Sequence, residues 1–128
     1  GVATSGWQGR SLSFGIADAV TVLAKNAAAA DVAATLIANA VNVDHPAIER
    51  APARDMDDQS DLGDLLVTVG VGDLDHATVD AALAAGYATA KRMEGAGLIA
   101  GAVLVLKKEM RATGALPGMA QITLPVTA

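Results

Sequence analysis

The sequence predicts an α+β fold, of the mixed α/β kind, on two observations. Short β-type runs and two long helical runs follow one another in the order strands, helix, strand, helix, strand, strand, with no tandem repeat. Hydrophobic residues make up 52% of the 128 residues and mean hydropathy is +0.40, yet aromatics are 2% and 29 residues are alanine. The apolar mass is therefore carried by small side chains that let backbones approach closely. Disorder and a disulfide scaffold are excluded. The expected architecture is a single lobe over residues 1–128, with a sheet of five to six strands packed against two main helices.

Taken in order, Val2 to Ser5 and Ser11 to Ser13 read as short strands and Ile16 to Leu23 as a stronger one, joined through Gly6, Gly9 and Gly15. Asn26 is suited to cap a helix running to about Val41. From Asn42 to Asp64 come Pro46, Pro52, Gly63 and the acidic residues Asp55, Asp57, Asp58, Asp61 and Asp64, which predict a long loop with one helical turn. Leu65 to Val71 is a strand. Asp75 caps a second helix to about Glu94, with Val79, Leu83, Tyr87 and Ala90 on one face, and Gly95 and Gly97 end it. Leu98 to Lys108 is a further strand, and Met119 to Val126 a last one after a turn over Gly114 to Gly118.

Nine Lys plus Arg against 14 Asp plus Glu give a net charge of −5, and no basic run exceeds Lys107 and Lys108. Nucleic acid and anionic membrane are therefore poor partners. The longest uncharged apolar stretches, such as Gly95 to Leu106, fall well short of the roughly 20 residues a membrane helix needs. The chain has no cysteine, which removes thiol catalysis and thiolate metal sites and fits the cytoplasm. Charged residues are 18%, against about 25% in an average soluble domain. Part of the surface is thus expected to be covered, by an oligomeric partner or by a missing half. The absence of an initiator Met before G-V-A-T-S-G points to a fragment, a processed product or an expression boundary.

The first helix is the most informative element. Val32, Leu36 and Ala40 form an apolar stripe, and Asp31, Thr35 and Asn39 a polar one at i, i+4 and i+8. Three short polar side chains point the same way where a solvated face would carry Lys, Glu or Arg. Magnesium prefers carboxylate, hydroxyl and carbonyl oxygens and fills its other positions with water and substrate phosphates. The plainer reading is a buried helix whose Thr and Asn bond to neighbouring backbone. In T-S-G-W-Q-G-R-S, the residues Thr4, Ser5, Gly6 and Arg10 are placed to offer hydroxyls, backbone N–H groups and a guanidinium to an anion, and Trp7 to stack on a planar ring. Glycine-rich turns also arise for purely conformational reasons. Asp18 shares strand parity with Ile16, Val20 and Val22, so it is expected on an apolar face, as an acid, base or ligand or as a carboxylate holding backbone N–H groups. His45 reads as a loop residue and His76 as a surface one.

Three segments resemble ApbE-like proteins, and most closely an uncharacterised branch of them: A-T-S-G-W-Q-G-R-S at 3–11, S-F-G-I-A-D-A-V-T-V-L-A at 13–24 and A-D-V-A-A-T-L-I-A-N-A-V at 30–41. H-P-A at 45–47 and S-D-L-G-D at 60–64 continue the pattern, which covers residues 1–106. The resemblance is to the C-terminal half of proteins about twice this length. It implies a preceding N-terminal half that completes the sheet and the pocket. The better known ApbE-type enzymes are magnesium-dependent transferases that move the FMN part of FAD onto a protein threonine, and the resemblance assigns their metal to Asp31 and Thr35. The motif H-I-x-D-P-x-T-G that precedes the T-V strand in those enzymes has no counterpart; Ser13 to Ala17 read S-F-G-I-A.

Two classes of function follow. As an enzyme, Asp31 and Thr35 hold Mg2+, Thr4, Ser5, Gly6 and Arg10 contact a phosphate or carboxylate of FAD or another nucleotide, Trp7 and Asn39 line the substrate site, and Asp18 is the acid, base or extra ligand. As a binding module, the same pocket holds a small anion or nucleotide without chemistry. A small-molecule hydrolase assembled from two chains after cleavage before Gly1 is a further expectation raised by the first residues.

Overall fold

The computed structural model describes residues 1–9, 12–57 and 59–114. Its elements are β1 (Val2–Ser5), β2 (Ala19–Leu23), α1 (Ala27–Ala40), β3 (Ile48–Pro52), α2 (Ala53–Met56), β4 (Leu66–Val71), α3 (His76–Gly95), β5 (Gly101–Leu106) and β6 (Glu109–Gly114). The fold is α+β, as the sequence predicts. The six strands do not form one sheet. They divide into a four-stranded antiparallel sheet of order β1-β2-β5-β6 and a β3–β4 hairpin.

Both long helices begin at the predicted caps. The Asn26 side chain accepts a 2.8 Å hydrogen bond from Ala29 N, and Asp75 accepts one of 2.8 Å from Thr78 N, each satisfying a donor that the first helical turn leaves open. α1 packs over β1 and β2, α3 over β5 and β6, on one face of the sheet. Val20 and Val22 of β2 and Ala102, Leu104 and Leu106 of β5 form the sheet side of the core, and Ile37, Val41, Val79 and Leu83 the helix side. Gly86 lets the two layers close, because a Cβ there would collide with the Val41 and Leu104 side chains. On β6 the helix-facing Glu109 and Arg111 reach α3 through His76 at 3.0 Å and Asp80 at 2.6 Å.

Four expectations are corrected. The stretch expected as a loop contains β3, paired with β4 from Ile48↔Val71 to Pro52↔Leu66 with a register shift between Glu49 and Arg50. The strand expected through Lys108 ends at Leu106, where the chain turns through Lys107 (φ 50°) and Lys108 (φ 69°) into β6. The strand expected from Ile16 begins only at Ala19, because Ile16 N bonds Val41 O at 2.8 Å, tying the preceding segment to the end of α1. Leu12 and Ser13 are not strand, while Ser11 and the strand expected over Met119 to Val126 lie outside the described residues.

Candidate functional site

The geometry of α1 decides which candidate residues share a surface. Ala30, Ala33, Ala34, Ile37 and Ala38 are buried against the sheet and α3, a stripe at i, i+3, i+4, i+7 and i+8. The two larger side chains expected to pack, Val32 and Leu36, are instead 59% and 50% exposed. Asp31 and Thr35, one helical turn apart, are exposed beside them. α1 therefore turns its alanines inward and presents a carboxylate, a hydroxyl and two large apolar groups outward.

Asn39, the third member of the polar stripe, is half-buried and engaged. Its Oδ1 accepts hydrogen bonds of 3.1 Å from both Ser13 Oγ and Phe14 N, which braces the 13–16 segment against the last turn of α1. This matches the plainer reading of a helix polar group that bonds to neighbouring backbone.

Asp18 lies just before β2 and is half-buried, and its Oδ2 accepts a 2.8 Å hydrogen bond from Lys107 N. It stands near the end of α1, where Ile16 meets Val41, whereas Asp31 is ten residues, about 15 Å of helix, earlier. The structure does not bring Asp18 to the Asp31–Thr35 pair.

The glycine-rich opening is split by the strand it belongs to. Thr4 pairs with Thr21 across β1 and β2, their hydroxyls 2.9 Å apart on the face away from the helices, while Ser5, opposite Val20, lies on the helix-bearing face. Gly6 runs close to the Asp18 backbone, where a Cβ would collide with the Asp18 carbonyl, and its own carbonyl accepts from Gly9 N at 3.1 Å. Trp7 is half-buried and its N–H donates to Ala17 O at 3.0 Å; its Nε1 is buried without a hydrogen-bond partner among the described residues. Arg10 lies outside the described residues.

One residue that sequence reasoning passed over organises the neighbourhood. Arg50 of β3 donates to Phe14 O at 2.8 Å, Thr68 Oγ1 at 3.0 Å, Val43 O at 3.4 Å and Asn42 Oδ1. Its guanidinium thus ties the hairpin, the 13–16 segment and the chain after α1 together through uncharged acceptors. The signal in the sequence was an arginine alternating with Ile48 in an otherwise loop-like stretch. His45 Nδ1 accepts from Ala47 N at 3.0 Å, and His76 is exposed and paired with Glu109.

Among the described residues no group of three or more His, Cys, Asp or Glu side chains is placed to hold a metal ion. A cation at α1 would therefore take one carboxylate and one hydroxyl from this chain. Magnesium suits such a site, because it keeps several waters and shares substrate phosphates. No helix among these residues is long and apolar enough to cross a membrane.

The fold is an α+β lobe that presents a carboxylate, Asp31, and a hydroxyl, Thr35, on the outward face of a helix. The family described as AbpE bacteria matches residues 1–112, and the chain belongs to that family. It is also similar to a UPF0280 protein of Methanothermobacter thermautotrophicus, 47% identical over 73 residues, which are 55% of this chain and 28% of that relative. The match thus spans less than a third of the relative's length. No solved structure matches.

Proposed function

We propose that this chain is the metal-binding lobe of an ApbE-like protein that acts on a flavin- or nucleotide-like pyrophosphate with Mg2+, the remaining walls of the site coming from a preceding N-terminal half. The observation that carries the reading is the outward pairing of Asp31 and Thr35 on a helix whose inward face is alanine. A solvated helix has no need to leave Val32 and Leu36 beside them in water. The resemblance of Ala30 to Thr35 to the metal motif of the transferases selects the same two residues.

In this reading the Asp31 carboxylate and the Thr35 hydroxyl hold the cation, and water, substrate phosphates and the second half complete its shell. The bound cation would polarise the phosphoanhydride being broken. Ser5 and Gly6, on the helix-bearing side, would contact the anion. The Gly6 turn holds its backbone close to Asp18, fixing the direction of the strand end that carries Ser5. Asn39 and Arg50 act on the 13–16 segment and keep it rigid.

A second reading is favoured by one observation. Asp18, the acid or base expected from this chain, already accepts a backbone hydrogen bond from the β5–β6 turn, which suits a module that binds a nucleotide or small anion without chemistry. The test is incubation of the protein, alone and joined to its preceding half, with FAD and Mg2+, following AMP release and flavin attachment. Metal-dependent AMP release supports the enzyme, and saturable binding without release supports the module. Neither binding nor release with both halves present overturns the proposal.

A further inference from the structure

β1 is one edge of the main sheet, and among the described residues no strand lies on its outer side. Gly1 N donates to Ala24 O at 2.8 Å and Ala24 N donates to Gly1 O at 2.9 Å, so Gly1 and Ala24 exchange both backbone bonds. Pairs of this kind alternate along an antiparallel ladder. Ala3 and Ser5 therefore also turn their backbone groups to β2, while the N–H and C=O of Val2 and Thr4 point out from the edge.

Exposed edges are normally protected by charge or proline. The opposite edge strand, β6, carries Glu109 and Arg111, whereas V-A-T-S in β1 has neither a charge nor a proline. Val2 is 64% exposed on the face away from the helices, and Thr4 is exposed on the same face. Such an edge fits an extended strand, and its pattern is its own complement. With a two-fold axis through Ala3, Val2 stands opposite Thr4 of a second copy, and Thr4 opposite its Val2. Every outward N–H then meets an outward carbonyl. Ala3, on the helix side, meets another Ala3, so no bulky group holds the strands apart.

The helix layer allows the same approach. α1 lies over β1 and β2 together, so strands about 4.8 Å apart set the two α1 axes about 10 Å apart, an ordinary packing distance. Ala29, Val32 and Leu36 line a groove shared with Met93 of α3. Asp31 and Thr35 are left on the other flank of α1, above the open edge. Gly1 touches the start of α1 at Asn26 and Ala27, and both elements run from there toward residues 16–18, where Val41 O accepts from Ile16 N and Gly6 meets Asp18. Ala3 is about 7 Å along β1 from Gly1, and Asp31 about 6 Å along α1 from Ala27, so the two are level. The axis through Ala3 therefore turns the two Asp31 carboxylates toward each other.

We propose that two copies of this chain join edge to edge through β1, and that their Asp31 carboxylates share one divalent cation. The shared cation rests on the reading of Asp31 and Thr35 as ligands, and the strand pairing does not.

The test is light scattering after size exclusion, over about a hundredfold range of concentration, in Mg2+ and in a chelator. The expected result in Mg2+ is a mass of twice 12.8 kDa, with dissociation at least tenfold easier in the chelator. Val2→Lys puts a charge on the edge, and Thr4→Pro removes an outward N–H that β2 does not use. Both should give a monomer with an unchanged far-UV spectrum. Asp31→Asn should give a dimer indifferent to Mg2+. A monomer at every concentration overturns the proposal, as does a dimer that survives in both edge variants. Protection of the Val2 and Thr4 amides from exchange that does not weaken on dilution shows the edge to be covered by the chain itself, and overturns it too. Calorimetry with Mg2+ on the same samples separates the two readings. One ion per chain without a dimer keeps Asp31 and Thr35 as ligands and overturns the pairing, whereas a dimer lost in the edge variants but indifferent to Mg2+ overturns the shared cation.

Discussion

The Asp18 carboxylate accepts a 2.8 Å hydrogen bond from the backbone N–H of Lys107, across 89 residues of sequence. Lys107 and Lys108 both hold left-handed backbone angles, which cost a residue with a side chain roughly 1–2 kcal/mol each. The carboxylate offsets part of that cost. Asp18→Ala is expected to lower the unfolding free energy by about 1–3 kcal/mol, read from urea titration. Asp18→Asn, which keeps an acceptor oxygen, should lose less than half as much. Equal losses for the two variants would remove the anchoring role.

Asp31 and Thr35 make the opposite prediction. Both are exposed on α1, so Asp31→Asn and Thr35→Val should change stability by no more than about 0.5 kcal/mol. If they are ligands, each should weaken Mg2+ binding at least tenfold by calorimetry in the protein joined to its preceding half. Unchanged affinity in both variants would rule them out as ligands.

Gly86 tests the closeness of the helix and sheet layers. In the middle of a helix, Gly→Ala ordinarily stabilises by about 1 kcal/mol. Here the added methyl meets Val41 and Leu104, and overpacking costs roughly 1–3 kcal/mol. A net loss of stability is expected in thermal or denaturant unfolding. A gain would mean that the layers separate without cost.

The cap of α3 should be sensitive to acid. Hydrogen bonding to Thr78 holds the Asp75 carboxyl below the usual aspartate range, and His45 and His76 add to the effect. Because the folded value is depressed, the stabilisation is present above the unfolded value and is lost as pH falls through the folded one. The Thr78 amide resonance should therefore hold its capped position to a pH below the ordinary aspartate range and then move. Asp75→Asn, which keeps the acceptor oxygen, should flatten that titration.

The parts of the fold legible in the sequence were those written in local chemistry. Asn26 and Asp75 cap their helices because each side chain reaches an amide three residues on, and that geometry needs no tertiary context. β6 was hidden because tight hairpin turns usually advertise themselves with Asn-Gly or Asp-Gly, and Lys107-Lys108 carries no such mark. β3 was hidden by Glu49, Arg50 and Pro52, whose place in a strand is set by long-range bonds from Arg50 to Phe14 and Thr68. On α1 the Asp31–Thr35 spacing was readable, but the packed face was not. Alanine gives a weak hydrophobic signal, so Val32 and Leu36 attracted the assignment while Ala30, Ala34 and Ala38 took the buried positions.

The strand order β1-β2-β5-β6 also sets a timetable for synthesis. β2 leaves the ribosome well before β5, the partner on its inner flank, with Leu23 opposite Gly101 and Ala19 opposite Val105. Until β5 emerges, β1 and α1 can join β2, but its other edge stays open. At translation rates of about 5–20 residues per second, that edge is unpaired for seconds. The yield of folded chain should therefore depend on the speed of translation between β2 and β5.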